Sequence, residues 1–382
     1  MNSNDLAARE RVVAAAPHAR LCFAPGRVNL IGDHIDYLGG TVLPMSIDRG
    51  TWFGFEAGAT SGLTLEALDR GEVVRVSSMA DVDALAAHDW HAFLKGSLAL
   101  GRPTGAPLAG RIVFAGDLWG GGLSSSASFG VGLARVLAEL GVLPRLEGIG
   151  LARLAQRVEH QFVGVQCGLM DQLAVVLGRS GGAIALQCES GEFAPVSLHW
   201  PDHRLLVMRS RSPRTLASGG YNTRRAELAI GLARLDLAED AMPAPDALDG
   251  VDVDDVPWRR VRHVISEQLR VEQALLAAEA SDWAAFGALM TASHVSLRDD
   301  YEVSTPALDA IVEAAVATRG CEGARLTGAG FGGWTIALVR NEAVDAVRSA
   351  VDAALHAPLA DEEWFVARPG GPVRLEGASD AR

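Results

Sequence analysis

The 382-residue chain is almost without lysine: Lys95 is the only one, and every other basic side chain is arginine. A phosphate loop of the Gly-Lys-Ser/Thr kind is excluded, because no such lysine is present. Acidic residues outnumber basic ones by 47 to 34, for a formal net charge of −13. Neither nucleic acid nor an anionic membrane surface is therefore an expected partner. Four cysteines (Cys22, Cys167, Cys188 and Cys321) lack metal-ligand spacing and read as reduced thiols. No apolar run approaches the length of a membrane span, and the first twenty residues lack a signal-peptide core. A cytoplasmic monomer is expected. Hydrophobic residues make up 49% of the chain, enough for two cores and too many for disorder.

Strand and helix patterns alternate along the first half. Residues 2–16 read as an amphipathic helix, and "LCFAPGRVNLIG" reads as a strand broken at Pro25-Gly26. "GGTVLPMSIDRGTWFGFEA" reads as two short runs divided at Asp48-Arg49-Gly50. "GRIVFAGDLW", "SGGAIALQC" and "HRLLVMRS" are further strands, and "GIGLARLAQRVEHQFVG" is a helix ending at Gly164. Helices dominate the second half, interrupted by the strand–turn–strand pattern of "GARLTGAGFGGWTIALV". The pattern predicts an α+β protein of two lobes.

Glycine, by contrast, is abundant and clustered. "GDLWGGGLSSSAS" sets Gly120, Gly121 and Gly122 before Leu123, Ser124, Ser125 and Ser126, at the entrance of an apolar helix. Consecutive glycines admit an anion close to the backbone, and the helix start supplies free N–H groups and a positive dipole end. A simple capped turn needs one serine and one glycine rather than three of each. Phosphate is the expected anion.

Two further clusters carry polar chemistry. "APGRVNLIGDHIDYLGG" places Arg27, Asn29, Asp33, His34, Asp36 and Tyr37 among glycines, which suits a polyol because carboxylates accept paired hydroxyls. The alternative is an ion-paired loop in which Arg27 neutralises the aspartates. "EHQFVGVQCGLMDQ" holds Glu159 near a helix end and Asp171 in an apolar context, where an isolated aspartate also suits a cap. "SGGYNTRRAEL" adds Tyr221 and the Arg224–Arg225 pair.

Taken in order, these segments resemble the GHMP small-molecule kinases, and within them the galactokinase family. "GRVNLIGDHIDY", "GGGLSSSAS", "VGVQCGLMDQ", "YNTRR" and "TGAGFGG" are similar to that family's motifs, and the resemblance spans roughly residues 20–370. It implies a two-lobed fold with the active site in a cleft between the lobes. The N-terminal lobe, 1–200, would have a mixed sheet and carry the ATP and sugar motifs; the C-terminal lobe, 201–382, would be ferredoxin-like. It implies transfer of a phosphoryl group from ATP to the anomeric hydroxyl of D-galactose, giving α-D-galactose 1-phosphate and ADP. The glycine–serine turn (residues 120–126) would cradle the triphosphate and Trp90 would stack on adenine. Ser126 and Glu159 would ligate Mg²⁺. Asp171 would face the anomeric hydroxyl as base or orienting charge, and Arg27 would pair with it and neutralise the moving phosphoryl group. Asp33, His34, Asp36 and Tyr221 would bind the sugar.

The sequence departs from the family pattern at Asp33, where glutamate is usual and faces the sugar's C6 hydroxyl. Ile35 stands for a usual threonine, Arg214 for histidine and Trp119 for a frequent proline, and "DLWGGGLSSS" is one residue short. A galacturonate kinase is the rival enzyme, disfavoured by the charge on Asp33. A non-catalytic sugar sensor is the rival class, disfavoured because Ser126-Ala127 are present.

Overall fold

Neighbouring residues in the first strands bury their side chains on opposite faces, and that alternation decides where helices pack. Cys22, Ala24, Phe53, Phe55, Ile112 and Phe114 join one core cluster, whereas Leu21, Phe23, Trp52, Val113 and Ala115 join another. A sheet buried on both faces needs cover on both. The computed structural model describes residues 3–58, 62–86, 89–101, 105, 107–118, 121–212, 217–251 and 254–376.

In chain order, α1 (Ser3–Ala15) precedes β1 (Arg20–Asn29), β2 (Thr41–Val42), β3 (Pro44–Glu56), β4 (Gly62–Ala67) and β5 (Glu72–Val76). Next come α2 (Met79–Asp83), α3 (Asp89–Leu100), β6 (Ala109–Gly116), α4 (Ser125–Glu139), α5 (Gly148–Val158) and α6 (Met170–Leu177). β7 (Gly182–Gln187), β8 (Phe193–Ser197) and β9 (His203–Arg209) lead to α7 (Ala217–Ala233), α8 (Val256–Glu279), α9 (Trp283–Asp299) and α10 (Pro306–Val316). The chain continues through β10 (Cys321–Thr327), β11 (Trp334–Arg340), α11 (Val344–Ala354), β12 (Trp364–Ala367) and β13 (Arg374–Glu376).

The chain forms two compact units. The first comprises Met1–Arg27, Ser46–Ser180 and Gly370–Arg382; the second comprises Val28–Met45 and Gly181–Pro369. One boundary at residue 200 is what the sequence suggests, yet the chain passes between units four times. Strand pairing explains this: β13 returns to β1, and β2 pairs with β7.

The first unit holds a mixed six-stranded sheet in the order β13-β1-β3-β6-β4-β5, with β4 parallel to β6 and the pairs β1–β13, β3–β6 and β4–β5 antiparallel. Residues of α1 cover one face, and α3, α4 and α5 cover the other. Two expected breaks are absent. β1 runs through Pro25-Gly26 and β3 through Asp48-Arg49-Gly50. The strands approach so closely there that a Cβ at Gly50 would lie 2.1 Å from the Ala24 carbonyl oxygen. These residues serve close packing rather than a turn.

The second unit has a four-stranded antiparallel sheet, β10-β11-β9-β12, and a three-stranded one, β2-β7-β8. The order of the four-stranded sheet, second-third-first-fourth with helical crossovers, is ferredoxin-like. Leu206, Met208, Ala337 and Val339 bury one face beneath α10 and α11. α9 packs along β10 through a glycine pair: a Cβ on Gly323 would lie 1.8 Å from the Gly287 carbonyl oxygen.

Candidate functional site

Arg27, near the end of the first unit's opening segment, reaches the two other polar segments expected to matter in that unit. Its Nε donates to Asp171 Oδ1 at 2.7 Å, and its Nη2 lies 2.6 Å from the same oxygen. Its Nη1 donates to the Gly122 carbonyl at 2.9 Å. The backbone repeats the link, because Arg27 N–H donates to the Leu123 carbonyl at 3.1 Å. Gly26 makes the approach possible: a Cβ there would lie 2.7 Å from that carbonyl oxygen.

Beyond Gly122, the turn enters α4 through Ser124, which adopts a left-handed conformation with φ 60°. Gly121 and Gly122 are left-handed too, with φ 68° and 101°, a region glycine occupies without strain. Ser124 Oγ is buried and finds no hydrogen-bond partner among the described residues. Ser125 and Ser126 open the helix, half-buried. Trp119, Gly120 and Arg214 lie outside the described residues.

Glu159 begins a π-helical turn (Glu159–Val163) that extends α5 and closes at Gly164. Such turns are rare and concentrate at functional positions. Its carboxylate accepts from Gln172 Nε2 at 2.8 Å and from Ser126. Burial, and then the nearby Asp171 charge, push Glu159 up to about 7. Among the described residues no three His, Cys, Asp or Glu side chains converge as a metal site. A buried carboxylate with a serine hydroxyl nevertheless fits Mg²⁺, which usually takes one or two carboxylates and completes its shell with phosphate and water.

Trp90 occupies a core position, 6% exposed. Its ring centroid lies 5.3 Å from that of Phe114, edge-on, and its Nε1 donates to Glu72. Little of the ring is left as a stacking face.

In the second unit the turn after β1 gathers a different set. Asp33 is 1% exposed and already engaged: Arg325 Nη2 donates to Oδ2 at 2.6 Å and Asn29 Nδ2 to Oδ1 at 3.0 Å. The Asp33 charge expected to repel an acid sugar is neutralised by Arg325. Asp36 opens a short 3₁₀ turn (Asp36–Leu38). His34 has φ 67° and sits among aromatic rings, with centroids 5.6 Å from Tyr221 and 4.6 Å from Tyr301.

The backbone of this turn is pinned by side chains that sequence reasoning missed. Thr327 Oγ1 accepts from Asn29 N–H and donates to its carbonyl, Glu267 accepts from Gly32 N–H, and His263 Nε2 donates to the Asp33 carbonyl. Glu267 also accepts from Ser293 at 2.6 Å. Burial opposes the ionisation of Glu267, but Arg270 and Arg325 outweigh it and hold the group down to about 2. The one available signal was spacing: His263 and Glu267 stand four apart on α8 and so share a face.

The chain is similar to known proteins. The galactokinase galactose-binding signature matches residues 10–56, the GHMP kinase N-terminal domain residues 99–179, and the GHMP kinase C-terminal domain residues 273–357. The chain is 40% identical to the galactokinase of Roseiflexus sp. over 361 residues, covering 89% of this chain and 88% of that protein. It is 38% identical to the galactokinase of Bos taurus over 347 residues, 87% of each. The structure of Lactococcus lactis galactokinase complexed with galactose superposes with a TM-score of 0.87 at 31% identity, covering 96% and 98% of the two chains. Mevalonate kinase of Methanococcus jannaschii shares the fold, with a TM-score of 0.67 at 18% identity, covering 93% and 99%.

Proposed function

We propose, from the premise that the chain belongs to the galactokinase family of GHMP kinases, that it is an ATP-dependent sugar 1-kinase. Its acceptor is the anomeric hydroxyl of D-galactose and its products are α-D-galactose 1-phosphate and ADP. The observation that carries this reading is the position of Arg27, which grips Asp171 and the Gly122 carbonyl together.

Arg27 spends two N–H groups on Asp171 Oδ1. Oδ2, with no partner recorded among the described residues, is the oxygen left to receive the sugar's hydroxyl. Asp171 thereby orients the nucleophile, while the guanidinium offsets charge gathering on the transferred group. Phosphoryl transfer asks mainly for such alignment and neutralisation. The amides of residues 121–126 and the start of α4 receive the triphosphate in place of a lysine. Ser126 and Glu159 would hold Mg²⁺, whose contribution is to neutralise phosphate charge and keep Glu159 ionised. His34, Asp36 and Tyr221 bind the sugar. Asp33 acts through its pairing with Arg325, and Trp90 forms a wall rather than a free stacking face. The protein acts as a cytoplasmic monomer.

Because Arg325 neutralises Asp33, charge alone does not reject an acid sugar, and the preference for galactose rests on the relatives. Purified protein with ATP, Mg²⁺ and a panel of galactose, galacturonate, galactosamine and L-arabinose tests this by kcat/KM. Galactose 1-phosphate should form fastest. A preference for galacturonate would overturn the substrate, and binding without turnover would overturn the enzyme.

A further inference from the structure

The chain contains three tyrosines, Tyr37, Tyr221 and Tyr301, and all three surround one histidine. The ring centroids of Tyr37, Tyr221 and Tyr301 lie 6.2, 5.6 and 4.6 Å from that of His34. Tyr301 is fully buried between two imidazoles, because its ring is also 4.6 Å from His263. Its hydroxyl meets the Tyr37 hydroxyl in a hydrogen bond. The Tyr37 hydroxyl in turn lies 3.4 Å from His34 Nδ1, and His34 Nε2 lies 3.2 Å from the Ala329 carbonyl.

The direction of these bonds follows from what each group can do. A carbonyl only accepts, so His34 Nε2 carries a proton. Burial holds His34 down to about 3, so the ring is neutral near pH 7 and Nδ1 is a bare acceptor. Among the described residues the Tyr37 hydroxyl is the one donor recorded at Nδ1. Were Tyr37 to donate to Tyr301 instead, both Nδ1 and the Tyr301 proton would be left buried without partners among the described residues. Each orphan costs about 1–3 kcal/mol. The order is therefore Tyr301 to Tyr37 to His34 to the Ala329 carbonyl.

We propose that Tyr301 is a positioning residue: acting through Tyr37, it fixes His34 as the Nε2-protonated tautomer and holds its ring for the ligand. The inference rests on the reading that His34 belongs to the sugar site. His34 needs such support because its backbone is left-handed, a conformation that persists only where surrounding contacts over-determine it. Nothing in the arrangement requires Tyr301 to touch the sugar.

Imidazole ¹⁵N spectra of the full-length protein, with His34 assigned by its loss in H34Q, read the tautomer directly. The same measurement is made on Y37F, Y301F and the double variant, alongside steady-state kinetics with galactose and thermal melts. Wild type should show His34 protonated at Nε2 alone. Y37F should show a mixed tautomer and a KM for galactose raised about tenfold, with kcat little changed. Y301F should move both readouts the same way but less, KM by about threefold, and the double variant should be no worse than Y37F. Unchanged tautomers, additive losses, a fall in kcat at constant KM, or a collapse of the melting temperature in Y301F would overturn the proposal. Wild-type protein that fails to phosphorylate galactose would instead overturn the proposed function, and the tautomer spectra would still decide this one.

Discussion

Asp171 and Arg27 are paired in the structure, and the proposed function makes turnover depend on that pair. Asp171→Asn keeps the shape and a hydrogen-bond acceptor but removes the charge that Arg27 grips. It should abolish sugar-phosphate formation while leaving nucleotide affinity within a few-fold of wild type, as measured by calorimetry and a product assay. Normal turnover in that variant would remove Asp171 from the mechanism. Both residues were legible beforehand because each stands inside a short string that resembles a family motif. Arg325, Glu267, His263 and Thr327 were not. Buried charges of this kind are placed by partners hundreds of positions away, as when Arg325 meets Asp33, and no local pattern announces such a pairing. The same limit explains why the burial of Asp33 and its pairing with Arg325 were not foreseen.

Among the elements, strands were misread at two places where proline and glycine were taken as punctuation, although the glycine-rich turn between β10 and β11 was read correctly. Pro25-Gly26 and Gly50 lie inside continuous strands, because a missing side chain there lets neighbouring backbones touch. Helix–strand contacts use the same device. Gly323 on β10 faces Gly287 on α9 so closely that an added methyl group would overlap the Gly287 carbonyl. Gly323→Ala should therefore destabilise the protein by about 1–3 kcal/mol, the usual range for overpacking. Chemical denaturation should show a lower midpoint at unchanged slope. An unchanged midpoint would mean that α9 shifts without cost. Elsewhere the pattern held: α1 forms close to its expected bounds, and the helix expected to end at Gly164 forms as α5 with its π-helical extension.

On the scale of the whole molecule, acid should be the condition it tolerates worst. His34 and His263 are held down to about 3 and about 4, mainly by burial, whereas an unfolded imidazole takes up its proton near 6.5. Below that pH the unfolded state binds more protons, so stability falls progressively as pH drops from about 6.5 toward 4. Glu267 adds to the loss further down, because it stays ionised to about 2 while an unfolded glutamate protonates near 4.5. Melting temperatures measured from pH 7.5 to 4 should decline steadily. A flat profile would contradict the buried neutral histidines.

The interleaved chain path makes a second prediction at this scale. Fragments 1–200 and 201–382, expressed separately, should each fail to give a cooperative melt, since each lacks segments its own unit needs. Strand β13 pairs Glu376 with Leu21 and Leu375 with Cys22, so β1 gains that neighbour only after all the elements between them have been made. On a translating ribosome the nascent protein must wait with that edge open for most of its synthesis. Its aggregation hazard should thus be governed by how quickly β13 emerges, and synonymous codon changes that slow the stretch leading to β13 should lower soluble yield.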